Sequence, residues 1–417
     1  MGVVWLFLRG ILVAALTQRG TAAFFALMAP CLPAPVANTG RLWLMRVGLY
    51  ELTRSKEHAD DWVWIMDHTI QLGPWKCLII LGIRLSAWEP QRGPLEHEDM
   101  VLLNLTPMTH SSGKEVEKQL RAAVEQTGKP REILTDGGAD LKSGIELFCK
   151  DYDGVAHVRD VKHKAATLLK RHLEADPRWK AFGTRAQQTK REVTQTALAY
   201  LNPPALKNKA RYMNLEPLVS WGCQALDFLD HPRPVAGQAV DVPTLTKKLG
   251  WLREYRAALA DWSEVLKVVE ATDQYVRQQG FHARAVAELR SELAPLATHR
   301  IAQQVREELL EFVGVQSAQA EPEERLIGHS EIIESVIGRY KRMQSTHSQG
   351  GMTAMILSIG AVVAKKTIGA VREALVAITT QNVLIWAREH LGITLQAQRC
   401  LAFVRNKTEI QNAHCQT

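Results

Sequence analysis

The sequence has little cysteine and lacks the short motifs that mark several common enzyme classes. Its six cysteines stand far apart and form no CxxC pair, at positions 31, 77, 149, 223, 400 and 415. This spacing excludes a disulfide-rich scaffold and a zinc ribbon, and it favours a reducing compartment such as the cytoplasm. The motifs GxGxxG, HExxH, GxSxG and the P-loop are also absent, so no motif indicates a dinucleotide-binding fold, a zinc protease, a serine hydrolase or a P-loop NTPase.

The chain also lacks the glycine content and the charge imbalance of fibrous or disordered proteins. It has 417 residues, of which 46% are hydrophobic and 23% charged, with 11 Trp, 27 Gly and a formal net charge of +7. This composition predicts a globular protein with two or three domains. The small positive excess suits an anionic partner, but over the whole chain it is a weak signal.

No apolar run reads as a membrane span. Residues 1–35 are apolar, but Arg9 and Arg19 bracket a run shorter than the about 18–20 residues that a span needs. The charge-free stretch 20–40 is long enough, yet three prolines between positions 30 and 35 would break a helix there. We therefore expect buried helix rather than a secretion signal, and no membrane partner.

The next part of the sequence predicts three strands followed by two helix–strand units. A basic amphipathic helix at 40–56 precedes them. The predicted strands are 61–72, 76–85, 100–108, 131–136 and 155–161, and the predicted helices between them are 112–128 and 139–150. This order describes an α/β fold, with a mixed five-stranded sheet and flanking helices, as in an RNase H-like domain. Beyond residue 163 the pattern is helical and is interrupted by prolines as far as about 325.

Two aspartates stand where carboxylates need a partner. Asp67 lies inside an apolar strand, where a buried carboxylate without a partner costs several kcal/mol. Asp136 ends the fourth strand, before two glycines. In an RNase H-like sheet the first and fourth strands are adjacent, so both carboxylates can face one cleft and bind a divalent metal through oxygen ligands. His68 points to the opposite face from Asp67, so these two form no dyad. Alternatively, Asp67 meets an arginine and Asp136 only opens a turn.

A third carboxylate is expected on a late helix packed on the same sheet. Glu334 and Lys341 are seven residues apart, so they share a helix face with about 10 Å between them. This spacing would let Glu334 bind metal while Lys341 contacts a DNA phosphate. Glu331, earlier on the helix, is the alternative ligand, and an exposed charged helix without a role is another reading.

The segments WIMDHT, ILTDGG and IIESVIGRYK, in this order, resemble the three blocks of the DDE transposases of bacterial insertion sequences. The resemblance implies an RNase H-like core in which Asp67, Asp136 and Glu334 hold two Mg²⁺ ions, with Mn²⁺ as a substitute, for DNA strand cleavage and strand transfer. Many members carry Lys or Arg seven positions after the Glu, as Lys341 is here. The upstream Tyr and Arg of some relatives are missing from this sequence.

A second mark is Asp160-Val-Lys-His163, which resembles the Cys/Asp-x-x-His element of mutator-like and hAT-like transposases. Those families insert a helical domain before the Glu, and 197 residues separate Asp136 from Glu334 here. The resemblance implies four parts. These are an N-terminal helical segment or truncated DNA-binding region at 1–56, the first part of the core at 57–165, a helical insertion at 166–325, and C-terminal helices completing the core at 326–417.

The charge pattern supports DNA as the partner. Residues 150–191 contain eleven Lys or Arg against five Asp or Glu. Lys164, Lys170 and Arg171 are candidates for phosphate contacts, as are Lys341 and Arg342, and counterion release would make such binding salt-dependent. The alternative is a solvated helix face.

Several expectations follow from the resemblance. The protein would bind transposon ends and target DNA as a homo-oligomer, in the cytoplasm on the nucleoid. Two rival functions share the fold: a catalytically inactive, transposase-derived DNA-binding protein, and an RNase H-like nuclease.

Overall fold

The structure, a computed structural model, describes residues 1–29, 31–70, 72–90, 93–205, 215–345 and 351–403. The chain divides into two compact units. Unit 1 combines Met1–Val158 with the chain from Ser330 onward, and unit 2 is Arg159–His329. Unit 2 is therefore an insertion in the sequence of unit 1.

One mixed sheet forms the centre of unit 1. Its strands are β1 (Trp62–Ile70), β2 (Lys76–Arg84), β3 (Val101–Met108), β4 (Glu132–Thr135) and β5 (Ala156–Arg159). Their order is β3-β2-β1-β4-β5. β1 and β2 are antiparallel, as are β2 and β3, whereas β1 and β4 are parallel. The predicted RNase H-like arrangement, with the first and fourth strands adjacent, is confirmed.

Helices accompany the sheet in unit 1 and make up the regular structure described in unit 2. In unit 1 they are α1 (Gly2–Leu12), α2 (Gln18–Leu27), α3 (Ala37–Thr53), α4 (Leu85–Trp88), α5 (Gly113–Thr127), α6 (Ala139–Phe148), α14 (Glu331–Ser345), α15 (Ser358–Val363), α16 (Ile368–Ala377) and α17 (Thr380–His390). In unit 2 they are α7 (Val161–Ala175), α8 (Pro177–Val193), α9 (Glu216–Asp230), α10 (Val242–Leu249), α11 (Arg256–Gln279), α12 (Ala285–Leu293) and α13 (Arg300–Ser317). The predicted all-helical insertion is thus confirmed.

The two faces of β1 bury different partners because side chains alternate along a strand. Trp62, Trp64 and Met66 share a buried cluster with apolar residues of α5 and α6. On the other face α14 packs on β1, and α3 and α15 pack near β3. α3 and α15 approach closely at Gly48 and Gly360, where an added Cβ on Gly48 would lie 1.7 Å from the carbonyl oxygen of Leu357.

The N-terminal segment packs on unit 1 as helices. Phe7 and Ile11 of α1 are buried. The indole Nε1 of Trp5 donates a hydrogen bond to the carbonyl of Lys366 at 2.8 Å, and the Arg339 side chain of α14 donates to the carbonyl of Leu12 at the end of α1. Residues 2–12 and 18–27 are therefore helical, and each helix buries one side while the other side is exposed.

Strand β5 is followed directly by helix α7, and the residue between them, Asp160, caps that helix. Residues 155–161 were predicted as one strand, but β5 ends at Arg159 and α7 begins at Val161. The reason is local: the buried side chain of Asp160 accepts a hydrogen bond from the backbone N–H of His163 at 2.8 Å and caps α7. Val161 N also donates to the carbonyl of Gly328 at 3.0 Å. The boundaries of unit 2 lie at 158/159 and 329/330.

Across the described residues, no single helix combines the length and the apolar composition needed to cross a membrane. α16 and α17, which are bent by 67° relative to each other, pass that test only as a pair.

Candidate active site

Asp67 lies near the end of β1 on the face that α14 covers. Val63 and Ile65, on the same face, are fully buried, whereas Asp67 is half-buried. Its Oδ1 accepts a hydrogen bond from the backbone N–H of His68 at 2.6 Å. The strand thus carries this carboxylate from an apolar interior to the edge of the sheet.

Asp136 directly follows β4, beside Asp67. In the parallel register Met66 pairs with Thr135, so the two aspartates take the next position on neighbouring strands. The chain then turns at Gly137, whose φ of +87° favours glycine. The backbone N–H of Gly138 donates to Asp136 Oδ1 at 2.8 Å. Both predicted carboxylates therefore lie near the C-terminal ends of two adjacent strands, and a backbone amide orients each of them.

Glu334 lies in the first turn of α14, on a flank of that helix. The buried residues of α14 are Ile332, Ile333, Val336, Ile337, Tyr340 and Met343. At about 100° per residue, Glu334 lies beside this buried stripe and Glu331 lies almost opposite its centre. Ser335 Oγ is 3.0 Å from Nε2 of His97, which precedes the edge strand β3. Glu334 lies about 100° further round the helix, so it faces away from that edge.

The chemistry of these donors fits a hard divalent cation, but their arrangement is incomplete. Carboxylate oxygens are the ligands that Mg²⁺ prefers, and Asp67 and Asp136 supply them side by side. Within the part of the chain that the structure describes, however, no group of three or more His, Cys, Asp or Glu side chains is placed to hold a metal ion. The structure brings the two aspartates to adjacent strand positions and does not complete a three-residue group with Glu334.

A polar cluster that sequence reasoning missed lies behind Asp136. Asp140 Oδ2 is 3.2 Å from Lys76 Nζ and 3.8 Å from His68 Nδ1, and Ser111 Oγ is 3.3 Å from His68 Nε2. Asp140 is four residues after Asp136, in the first turn of α6, where a carboxylate suits the helix dipole. That position was the available signal, but the sequence did not reveal the partners on other elements.

Burial and charge set the protonation of this cluster. Burial lowers the pKa of His68 below its ordinary value, and the nearby charge of Asp140 opposes the effect only in part. Burial raises the pKa of Asp140, but hydrogen bonds from Ser111 and Lys76 outweigh it, so the pKa of this carboxyl lies below its usual range. At neutral pH the cluster therefore pairs an ionised Asp140 with Lys76.

The predicted DNA contacts have different environments. Lys341 and Arg342 are exposed at the end of α14, and Lys170 is exposed on α7. Lys164 is half-buried, with Nζ 5.8 Å from the ring centroid of Phe312.

Two other predicted residues of unit 2 have structural contacts. The Arg171 side chain pairs with Glu308 of α13. His163 Nδ1 lies 3.3 Å from Oδ1 of Asp160, so the Asp-x-x-His element forms the start of α7.

No family model matches the sequence, and no curated protein matches it either. One solved structure that resembles the chain is the Drosophila P element transposase strand transfer complex. The TM-score is 0.42 at 9% identity, covering 88% of this chain and 92% of that chain. A likeness of this size bears neither on function nor on individual residues.

Proposed function

We propose that this protein is a transposase of the DDE type found in bacterial insertion sequences, and that it cleaves DNA strands and transfers their ends. The observation that carries the proposal is the β1–β4 register, which puts Asp67 and Asp136 at neighbouring strand positions of an RNase H-like sheet. The helical unit inserted before α14 and the Asp-x-x-His cap are the features that resemble mutator-like and hAT-like transposases, and they support a transposase over other RNase H-like proteins.

The proposal includes Mg²⁺ as the cofactor, with Mn²⁺ able to replace it. Asp67 and Asp136 would hold the metal, and Glu334 is the proposed third ligand. When bound, such an ion supplies Lewis acid chemistry at a phosphodiester. The backbone amides of His68 and Gly138 orient the two aspartates. Lys341 and Arg342, which are exposed further along α14, are the proposed phosphate contacts.

The test is a nicking and joining assay on supercoiled plasmid that carries the DNA flanking the gene. With Mg²⁺ or Mn²⁺ the wild-type protein should produce nicked and joined products, and with EDTA it should produce none. Asp67→Asn and Asp136→Asn should each lower the rate about 100-fold or more, because each removes a charged oxygen ligand. Asp153→Asn, which changes an exposed aspartate of unit 1, should retain wild-type activity.

Four results would contradict this assignment. Activity in EDTA, or activity retained in both aspartate variants, would remove the proposed site. DNA binding without any cleavage by the wild type would favour the inactive DNA-binding alternative. Cleavage of branched DNA without joining would favour the RNase H-like nuclease.

A further inference from the structure

Unit 2 has an open groove beside α8 that the proposed active site does not use. Its volume is about 680 Å³. One wall is the exposed side of α8, including Lys180, Thr184, Arg185 and Gln188, and the other wall contains Trp251 and Tyr255. The groove therefore combines cations, hydrogen-bonding side chains and aromatic rings.

Exposed cations that form no ion pair lie on α8. Elsewhere in unit 2 many cations pair with carboxylates, as Arg171 does with Glu308. Among the described residues, Lys180, Arg185 and Arg191 form no ion pair, and all three are exposed. Lys180 and Arg191 are eleven residues apart, so they lie about 20° apart around the helix and about 16 Å apart along it. Arg185, which lines the groove with Lys180, lies about 140° round the helix from Lys180. Positive charge is therefore spread across this side of α8, and this arrangement suits a polyanion.

The aromatic wall is rigid. Trp251 Nε1 donates a hydrogen bond to Thr189 Oγ1 at 2.9 Å, and the rings of Trp251 and Tyr255 meet edge to face with centroids 5.5 Å apart. Both rings also pack on the buried Phe182, at 5.5 and 5.2 Å. Trp251 is only 7% exposed, whereas Tyr255 is half-buried, so Tyr255 offers the accessible ring. A fixed ring can stack a base with little loss of side-chain entropy.

We propose that this groove binds single-stranded DNA, with a base stacked on Tyr255 and phosphates on Lys180 and Arg185. Cationic grooves with stacking aromatics bind single strands with little sequence preference. The inference rests on the proposed function for its ligand class and adds a binding surface outside the sheet. The groove lining also contains one acidic residue, Glu254. Its negative charge repels phosphate, so removing that charge should strengthen binding.

The experiment measures fluorescence anisotropy of labelled oligo-dT with the full chain, in EDTA, over a series of NaCl concentrations. Tyr255→Ala should weaken binding about tenfold, and Tyr255→Phe should keep wild-type affinity. Arg185→Gln should reduce the slope of log K against log salt by about 0.7. Glu254→Gln should strengthen binding. Arg290→Gln is the control. It also removes one positive charge, but from a residue that pairs with Glu307, and it should leave the slope unchanged.

The proposal is overturned if Tyr255→Ala and Arg185→Gln bind oligo-dT as the wild type does. It is also overturned if polyglutamate competes as well as oligo-dT, because the surface would then recognise charge alone. The binding measurements contain no metal, so they do not depend on the proposed metal site. Asp67→Asn should therefore lose cleavage and keep normal oligo-dT binding, and this result separates the groove proposal from the active-site proposal. Circular dichroism of each variant confirms folding, and Tyr255→Phe provides the aromatic control.

Discussion

Lys76 Nζ lies 3.2 Å from Asp140 Oδ2, and this contact joins the start of β2 to the first turn of α6. The turn that carries Asp136 lies directly before Asp140, and an added Cβ on Gly138 would lie 3.3 Å from Asp136 Oδ1 and 3.5 Å from Asp140 Oδ1. The ion pair therefore holds the segment in which the second aspartate is oriented.

Weakening that ion pair should loosen the turn. Asp140→Asn and Lys76→Met should each destabilise the protein by about 1 kcal/mol, and the double variant should lose less than the sum because one interaction is shared. Urea unfolding of the wild type, both single variants and the double variant gives the coupling energy of this double-mutant cycle. Hydrogen exchange at the Gly138 amide should become faster in both single variants. Additive losses with unchanged exchange would show that the contact does not hold the turn.

The position of Glu334 on α14 separates it from Glu331. Glu334→Gln should abolish metal-dependent cleavage while DNA affinity and folding remain almost unchanged, because a lost ligand raises the chemical barrier and leaves the phosphate contacts in place. Glu331→Gln, on the side away from the buried stripe, should cost little. Both variants belong in one cleavage assay with binding measured in parallel. A dead Glu331→Gln beside an active Glu334→Gln would reverse the assignment.

The close approach of α3 and α15 depends on Gly48. Gly48→Ala should destabilise the protein by about 3 kcal/mol or more, because the new methyl would lie 1.7 Å from the backbone oxygen of Leu357 and could be accommodated only by a shift of the backbone. Gly338, inside α14, has open space around the position of an added Cβ, so Gly338→Ala should stabilise by about 0.5 to 1 kcal/mol. Thermal unfolding of both variants tests the pair, and equal effects would contradict the packing.

Lys56 should make stability depend on alkaline pH. Burial lowers its pKa to about 8, although Nζ donates to the carbonyls of Glu51 and Arg54. Between pH 8 and the ordinary value of 10.5, the unfolded chain binds more protons than the folded one, so this residue's contribution to stability rises with pH in that window. Urea unfolding should therefore show that the free energy of unfolding of the wild type, relative to that of Lys56→Met, increases as pH rises through this window. Parallel pH profiles would show that Lys56 keeps an ordinary pKa.

The sheet could be predicted because its signals are local. Apolar runs bounded by turn residues, such as Gly73-Pro74 between β1 and β2, predicted the strands to within about two residues. The adjacency of Asp67 and Asp136 followed from the element order. The prediction was wrong at the start of α7, because it extended the fifth strand to Val161. The valines of this segment resemble a strand, but Asp160 caps a helix that begins at Val161.

The rest of the site could not be predicted because its contacts join distant parts of the chain. Lys76 and Asp140 are 64 positions apart, and periodicity within one segment carries no signal for such a pair. The α8 groove was missed for a related reason. The charge count identified the basic region, but only the packing of unit 2 shows that Arg171 is paired and Arg185 is not.

The hydrogen bond between Val161 N and the Gly328 carbonyl has a consequence for how the chain folds. Closing a flexible loop as long as residues 159–329 would cost about 4 to 5 kcal/mol of chain entropy. Because unit 2 brings its own two ends to within hydrogen-bonding distance, much of that entropy is lost when the inserted unit folds. β5 and α14 are then joined as though by a short connection, and the sheet can gain α14 without the kinetic delay of a long-range search.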